Sequence, residues 1–175
     1  MNLLTEIKTS GRKLERALLD KQGRPGDMDI LDKLKSEHEE VAGMLKKLVD
    51  SDSGPERKAL VKKIRHALVP HLRAEEKVVY DAIVALKDKN AKTNGAEGYL
   101  EHSLGDKVLG TLGKIANALS PEFSAAAKVL KELVEHHVKE EERDVWADVR
   151  KNFDAEQRIA MNRAFEAAKK KVKVS

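Results

Sequence analysis

Two ten-residue stretches decide the fold: HLRAEEKVVY at residues 71–80 and HVKEEERDVW at residues 137–146. Aligned without gaps, they share a histidine, two consecutive glutamates and a valine: His71/His137, Glu75/Glu141, Glu76/Glu142 and Val79/Val145. The chain therefore contains a duplicated unit. Residues four apart lie on the same face of a helix, so the histidine and the first glutamate of each unit point at one place. Imidazole and carboxylate together are a ligand set for a divalent transition metal.

A further histidine precedes each unit on a helical pattern. His38 lies 33 residues before His71, and His102 lies 35 residues before His137. His38 interrupts an apolar stripe with helical spacing, where a lone histidine is more often a hydrogen-bonded core residue than a ligand. The neighbouring glutamates, Glu37, Glu39 and Glu40, are off that stripe and are predicted to be solvated. Four helices that bring four histidines and two glutamates to one interior predict a two-metal site.

This pattern resembles the hemerythrin-like, or HHE cation-binding, family over roughly residues 28–150. The resemblance implies an all-α protein, an up-down-up-down four-helix bundle that holds two bridged, non-haem iron ions. It implies that His38 and His71 face one iron, His102 and His137 face the other, and Glu75 and Glu141 bridge them. Zinc and manganese are the alternative metals, since nitrogen and oxygen ligands without sulfur also suit them.

The chain also departs from that family. Hemerythrins carry two histidines on the third helix and an aspartate five residues after the histidine of the fourth. Here the positions one turn either side of His102 are Gly98 and Asp106. Fewer histidines leave open coordination positions, for which Asp106, Tyr99 and Tyr80 are candidates and which a diatomic molecule or peroxide can also occupy. Reversible oxygen carriage is therefore less favoured than sensing, peroxide or NO consumption, or iron buffering, and whether the protein is an enzyme stays open.

The 175-residue composition narrows the class of protein. Apolar residues are mostly aliphatic and no alternating strand pattern is present, which predicts an all-α chain. With no cysteine, the chain has no disulfide or thiolate site, which suits the cytoplasm. We expect no membrane contact, because the N-terminus has no long apolar run. The net charge of +4 is interleaved with acids except at residues 169–173, so nucleic acid binding is not expected.

Three segments follow from the helical spacing and the breaks between helices. We predict an accessory N-terminal helix and linker (1–26), the metal-binding bundle (27–152), and a C-terminal helix with a basic tail (153–175). Residues 88–96, DKNAKTNGA, are predicted to be the connection between the two halves. The terminal helices are not needed by a four-helix bundle, so they are where a protein partner or a second copy of the chain is expected to bind.

Two alternatives concern the ligands themselves. The adjacent pair His136/Glu140 also has the four-residue spacing, but His137/Glu141 is preferred because it aligns with the first unit. His66 is predicted to be a surface residue.

A ferritin-like di-iron site is disfavoured because such sites place the glutamate before the histidine, three residues away. A helical interaction module with incidental histidines is the alternative without metal. Metal removal should lower the stability of a metal-binding bundle and leave the stability of an interaction module unchanged.

Overall fold

The computed structural model describes residues 27–174, and every regular element in that range is helical. The helices are α1 (Ile30–Asp50), α2 (Gly54–Glu75), α3 (Asp81–Val84), α4 (Lys89–Lys114), α5 (Pro121–Glu140), α6 (Trp146–Asn152) and α7 (Ala155–Lys169). Two π-helical turns, π1 (Glu76–Tyr80) and π2 (Glu141–Val145), join α2 to α3 and α5 to α6. The accessory N-terminal helix and linker predicted at residues 1–26 lie outside the described residues.

Four long helical segments form the bundle. α1 packs against α2 and α5, and α4 packs against α5 and α2, so the four segments close a ring. The connections at 51–53, 85–88 and 115–120 are short, which makes sequential helices antiparallel neighbours. The predicted all-α four-helix bundle is confirmed, and α7 adds a fifth helix that packs against α1, α2 and π1.

Side-chain caps set the starts of these helices. The side chains of four residues accept hydrogen bonds from the backbone of the first turns that follow them: Asp29, Ser53, Asp88 and Ser120. Proline occupies the first turn of α2 and of α5, where its missing N–H costs nothing. A capping box formed by Asp154 and Gln157 opens α7.

The prediction of a loop at residues 88–96 is wrong, because α4 begins at Lys89. Gly95 in this stretch and Gly98 just after it allow close helix packing rather than a turn. A Cβ atom on Gly95 would lie 2.8 Å from Cγ2 of Val84, and one on Gly98 would lie 2.5 Å from the Tyr80 ring. Glycine at these two positions lets α4 lie directly against π1 and α3.

A π-helical turn lies at the end of the HxxxE pair in both copies of the duplicated unit. α2 stays α-helical through Pro70, and its geometry changes only after Glu75. In the second copy π2 begins at Glu141 itself, one residue earlier in the alignment than π1. π-Helical turns are rare and occur often at functional sites, so the repetition marks the region around both glutamates.

The apolar core has two parts, with the histidines between them. One cluster is aliphatic apart from Phe123 and includes Val41, Leu45 and Leu109. The other contains Leu34 and most of the buried aromatic side chains, Tyr80, Trp146 and Phe165. His38 is on α1 between Leu34 of one cluster and Val41 of the other, so the polar site is enclosed by apolar packing on both sides.

Candidate metal centre

All six predicted ligands are buried in the middle of the bundle. α1 carries His38, α2 carries His71 and Glu75, α4 carries His102, and α5 with π2 carries His137 and Glu141. Each of these six residues is at most 7 % exposed. Charged or polar side chains are rarely buried to this degree unless they are paired or bind a metal. The stripe histidine His38 is therefore part of a larger polar cluster rather than an isolated core residue.

Glu75 is shared by two groups of side chains. It forms one group with His38 and His71 and another with His102 and His137, and within each group the ligand atoms lie within 4.8 Å of one another. Glu75 Oε2 is 3.4 Å from His71 Nε2 and 3.5 Å from His102 Nε2. It thus lies between the two groups, as the resemblance implies for a bridging carboxylate.

Glu141 spans the same two groups from the opposite side. Its Oε2 is 3.4 Å from His38 Nε2 and 3.6 Å from His137 Nε2. Within the second group, the Nε2 atoms of His102 and His137 are 3.1 Å apart. The six side chains therefore surround one small volume, in the pairing that the resemblance implies, while their role as ligands stays a prediction.

Several polar atoms at the centre have no hydrogen-bond partner within the described part of the chain. They are both carboxylate oxygens of Glu75, Oε2 of Glu141 and Nε2 of His38. A buried carboxylate without donors carries a large desolvation cost, which a bound cation removes. The unpaired atoms are carboxylate oxygens and an imidazole nitrogen, so they fit the family's metal ions as ligands by their chemistry as well as by their spacing.

The pKa values of the buried groups show how strongly the carboxylates and imidazoles of this cluster interact. Burial raises the pKa of Glu141 well above its usual range, and the Glu75 carboxylate adds to the rise. Burial also acts to raise the pKa of Glu75, but the adjacent imidazoles, that of His71 first, outweigh it and hold that pKa well below its usual range. For His38, burial and the His71 imidazole lower the pKa to about 3. For His71, burial lowers the pKa, but Glu75 and Glu37 outweigh it and raise the pKa to about 9.

The outer nitrogen of each histidine has a glutamate partner. The four Nδ1–carboxylate distances are His38–Glu142 3.1 Å, His71–Glu37 3.0 Å, His102–Glu76 3.1 Å and His137–Glu101 2.7 Å. In a neutral imidazole, a carboxylate on Nδ1 favours the tautomer with the proton on Nδ1, which leaves the Nε2 lone pair facing the centre. All four rings therefore have the orientation of metal-binding histidines, in which a carboxylate holds one ring nitrogen and the other nitrogen faces the metal.

These partner glutamates follow the duplication. Glu37 and Glu101 each come directly before the upstream histidine of their half, and Glu76 and Glu142 each come directly after the inner glutamate. The prediction that Glu37 is solvated is wrong: it is 9 % exposed and also binds Lys169 of α7 at 2.5 Å. A glutamate precedes the upstream histidine in both halves, but the same Glu-His dipeptide occurs at Glu135–His136, where both residues are exposed, so the dipeptide alone does not identify Glu37 as buried.

The π turns aim one aromatic side chain of each half at the centre. Trp146 Nε1 donates to Glu141 Oε1 at 3.3 Å, and its ring stacks on His38 with centroids 6.0 Å apart. The Tyr80 ring lies 5.1 Å from that of His102, and its buried hydroxyl has no partner in the described range. Both aromatics lie five residues after a central glutamate, a spacing that a π turn, unlike an α-helical one, places on the same face.

The other candidates for an extra ligand are engaged elsewhere. Tyr99 donates its hydroxyl to Asp81 Oδ1 at 2.6 Å, and Asp106 forms an ion pair with Arg73. His66 is exposed, as predicted. His136 is also exposed, so the structure turns the preferred pair His137/Glu141 inward.

A small apolar pocket adjoins the histidines. It has a volume of about 20 Å³ and is lined by all four histidines together with side chains such as Val41, Leu68 and Val134. Gly105 contributes to its wall, and a Cβ atom added there would meet no atom within 4 Å. The pocket has room for a molecule of about the size of water.

The fold and this centre together define a class of protein, the four-helix bundles that bind cations through paired histidines and carboxylates. The chain belongs to the hemerythrin HHE cation-binding domain family, whose model matches residues 15–83 and 29–148. Within the described range, no helix has both the length and the apolar content that crossing a membrane requires.

One curated relative is a protein named DNA nickase from Nostoc sp. (strain PCC 7120), 29 % identical over 146 residues. The match covers 83 % of this chain but 40 % of the relative, so the chain spans about two fifths of that protein's length. No solved structure matches the chain.

Proposed function

We propose that the protein is a non-haem di-iron protein whose centre binds or responds to O2, peroxide or NO. The observation that carries the proposal is the pair of histidine groups that share Glu75, with unpaired carboxylate oxygens between them. Iron is proposed over zinc and manganese because of the family resemblance, since the nitrogen and oxygen donors suit all three.

The residues of this chain would hold and orient such ions. The glutamates on Nδ1 fix the tautomer and angle of each imidazole, so that four Nε2 atoms converge without rearrangement. Glu75 and Glu141 supply the negative charge between the two positions, and Trp146 holds one oxygen of Glu141 in place. Bound iron would supply Lewis acidity and a change of redox state.

The small pocket beside the histidines supports a small-molecule ligand. Its lining is apolar apart from the imidazoles and two glutamates, and its volume of about 20 Å³ suits a diatomic molecule or peroxide rather than an organic substrate. Iron buffering, and consumption of peroxide or NO by turnover, are the alternative functions of the same centre.

Contacts with the C-terminal helix favour a responding role over passive buffering. Lys169 of α7 forms an ion pair with Glu37, which in turn binds Nδ1 of His71. Phe165 of the same helix packs edge-on against the His71 ring, with centroids 5.7 Å apart. A change in the position of His71 on ligand binding would therefore reach α7 directly, where a partner or a second copy of the chain could detect it.

The relative named DNA nickase raises the alternative that the two metals cut phosphodiesters, as paired metals do in nucleases. The burial of the centre argues against this. The six predicted ligand residues are at most 7 % exposed and the adjoining pocket measures about 20 Å³, which does not admit a nucleic acid backbone. We therefore propose metal binding for this chain and do not propose the nickase activity that the longer relative's name describes.

Optical spectroscopy of the reduced, iron-loaded protein tests the proposed function. On exposure to air, peroxide or NO, we expect a change in the absorption spectrum together with changed hydrogen exchange in α7. A stable spectrum that reverses on removal of O2 would favour carriage, and repeated consumption of peroxide would favour an enzyme. A centre that only gains and loses iron would contradict the responding role and leave buffering.

A further inference from the structure

A second group of ligand-type side chains lies outside the buried centre. His136 and Glu140 of α5 meet Glu101 of α4, and the ligand atoms of all three lie within 4.8 Å of one another. His136 Nε2 is 3.3 Å from Glu140 Oε2 and 3.7 Å from Glu101 Oε1. The His136 side chain is 61 % exposed, so this group faces solvent and an ion can reach it directly.

The geometry of α5 explains why two such groups stand side by side. The sequence has two adjacent histidines followed four residues later by two adjacent glutamates, which gives two overlapping HxxxE pairs. Successive residues of an α-helix are rotated by about 100°, so the pair His136/Glu140 points beside the inner pair, toward α4 and solvent. The outer pair thus repeats the ligand chemistry of the inner one at the surface.

Glu101 joins the outer group to the inner centre. Its Oε1 faces His136, and its Oε2 accepts a hydrogen bond of 2.7 Å from Nδ1 of His137. One carboxylate therefore contacts an exposed histidine with one oxygen and an inner histidine with the other.

A pocket of about 20 Å³ lies beside these residues and reaches both groups. Glu101 and Glu140 line it from the outer group, and Glu141 and Tyr80 from the centre. It has five carboxylates in its wall, and Glu141 Oε2 and the Tyr80 hydroxyl are buried without partners in the described range. Arg143 balances part of this charge, but it lies 3.4 Å from Glu140 Oε1 and leaves Oε2 to His136.

We propose that Glu101, His136 and Glu140 form an outer binding site for a divalent transition-metal ion, which captures the ion and passes it inward to the buried centre. The inference rests on the proposed function, because delivery needs an inner centre that binds metal. Nitrogen and oxygen ligands in an exposed, acidic setting bind such ions weakly and exchange them quickly, as a loading site requires.

Trp146 provides the measurement of loading. It is the one tryptophan of the chain and contacts Glu141 and His38 of the centre, so its fluorescence should change when iron fills the centre. Metal-free protein is mixed with Fe²⁺ under anaerobic conditions in a stopped-flow instrument. We expect the double variant His136→Ala/Glu140→Gln to load about tenfold more slowly than the wild type while it reaches the same final iron content.

A control variant removes the same residue types from exposed positions elsewhere. His66→Ala/Glu132→Gln loses one histidine and one carboxylate from the surfaces of α2 and α5 and should load at the wild-type rate. Titration with Mn²⁺, followed by the electron paramagnetic resonance of the free ion, counts the sites separately. The wild type should show a weak site besides the inner ones, and the outer-site variant should lack it.

The outcomes separate this inference from the proposed function. Equal loading rates and equal Mn²⁺ counts in the wild type and the outer-site variant would overturn the outer site. Loss of the weak Mn²⁺ site with an unchanged loading rate would overturn the delivery role. A wild type whose fluorescence and iron content do not respond to Fe²⁺ would instead overturn the proposed di-iron centre.

Discussion

Glu141→Gln should change stability in opposite directions in the metal-free and the metal-loaded protein. Glu141 is 2 % exposed, lies beside the Glu75 carboxylate, and has one oxygen without a hydrogen-bond partner in the described range. Glutamine keeps the shape and does not ionise, so it removes the cost that the raised pKa of Glu141 imposes at neutral pH, and its amide N–H can donate to Glu75. The substitution should therefore stabilise the metal-free protein and remove from the metal-loaded protein a carboxylate that we propose as a bridging ligand.

The size of the gain follows from the cost of an unsatisfied buried polar group. That cost is about 1–3 kcal/mol, and relief of about 2 kcal/mol raises the Tm by about 4–8 °C in a chain of this length. In the metal-loaded protein, loss of the bridging oxygen should lower metal affinity at least about tenfold and remove much of the stabilisation that the metal supplies.

Circular dichroism melts of both forms, with and without a chelator, measure this inversion. Glu132→Gln on the exposed face of α5 is the matched control and should change the free energy of unfolding by less than about 0.5 kcal/mol in either form. If Glu141→Gln lowers the Tm of the metal-free protein, Glu141 has a structural partner there, and the interpretation of the cluster as a cation site loses its electrostatic basis.

Three further substitutions test separate parts of the structure. Gly98→Ala should destabilise the bundle by about 1–3 kcal/mol in a denaturant titration, because its Cβ would lie 2.5 Å from the Tyr80 ring. Gly105→Ala places a methyl group in the pocket beside the histidines and should slow the reaction of the reduced protein with O2 without loss of iron; an unchanged rate would mean that the ligand binds elsewhere. Lys169→Met should lower iron affinity several-fold through Glu37, measured by competition with a chelator.

Much of the centre could be predicted because its spacing is local. His71 and Glu75 are four residues apart on one helix, and the copy at His137 and Glu141 repeats that spacing, so helical geometry alone places each pair on one face. The duplication then implied one shared interior. Within the described range, the structure brings these side chains together with His38 and His102.

The residues that orient the histidines could not be assigned in the same way. Glu37 is one residue off the apolar stripe of α1, and its partners, His71 and Lys169, are 34 and 132 residues away. A local pattern cannot distinguish such a glutamate from a solvated one such as Glu39. The pairing depends on how the helices pack, which the pattern along one helix does not contain.

The start of α4 at Lys89 and the π turns were missed for a related reason. Gly95 and Gly98 are typical of a turn in sequence, but their small size matters here because α3 and Tyr80 pack against them. A π turn shifts the helical register by one residue. Its trace in the sequence is the five-residue spacing from Glu75 to Tyr80 and from Glu141 to Trp146.

Elemental analysis of the full chain, purified without added metal after growth in iron-replete medium, tests the central claim most directly. Two groups of histidines that share Glu75, with Glu141 beside a histidine of each group, predict about two irons per chain. Alanine at His71 or His137 should reduce that number, and alanine at His66 should not. An iron content near one per chain, or zinc alone, would contradict the di-iron centre.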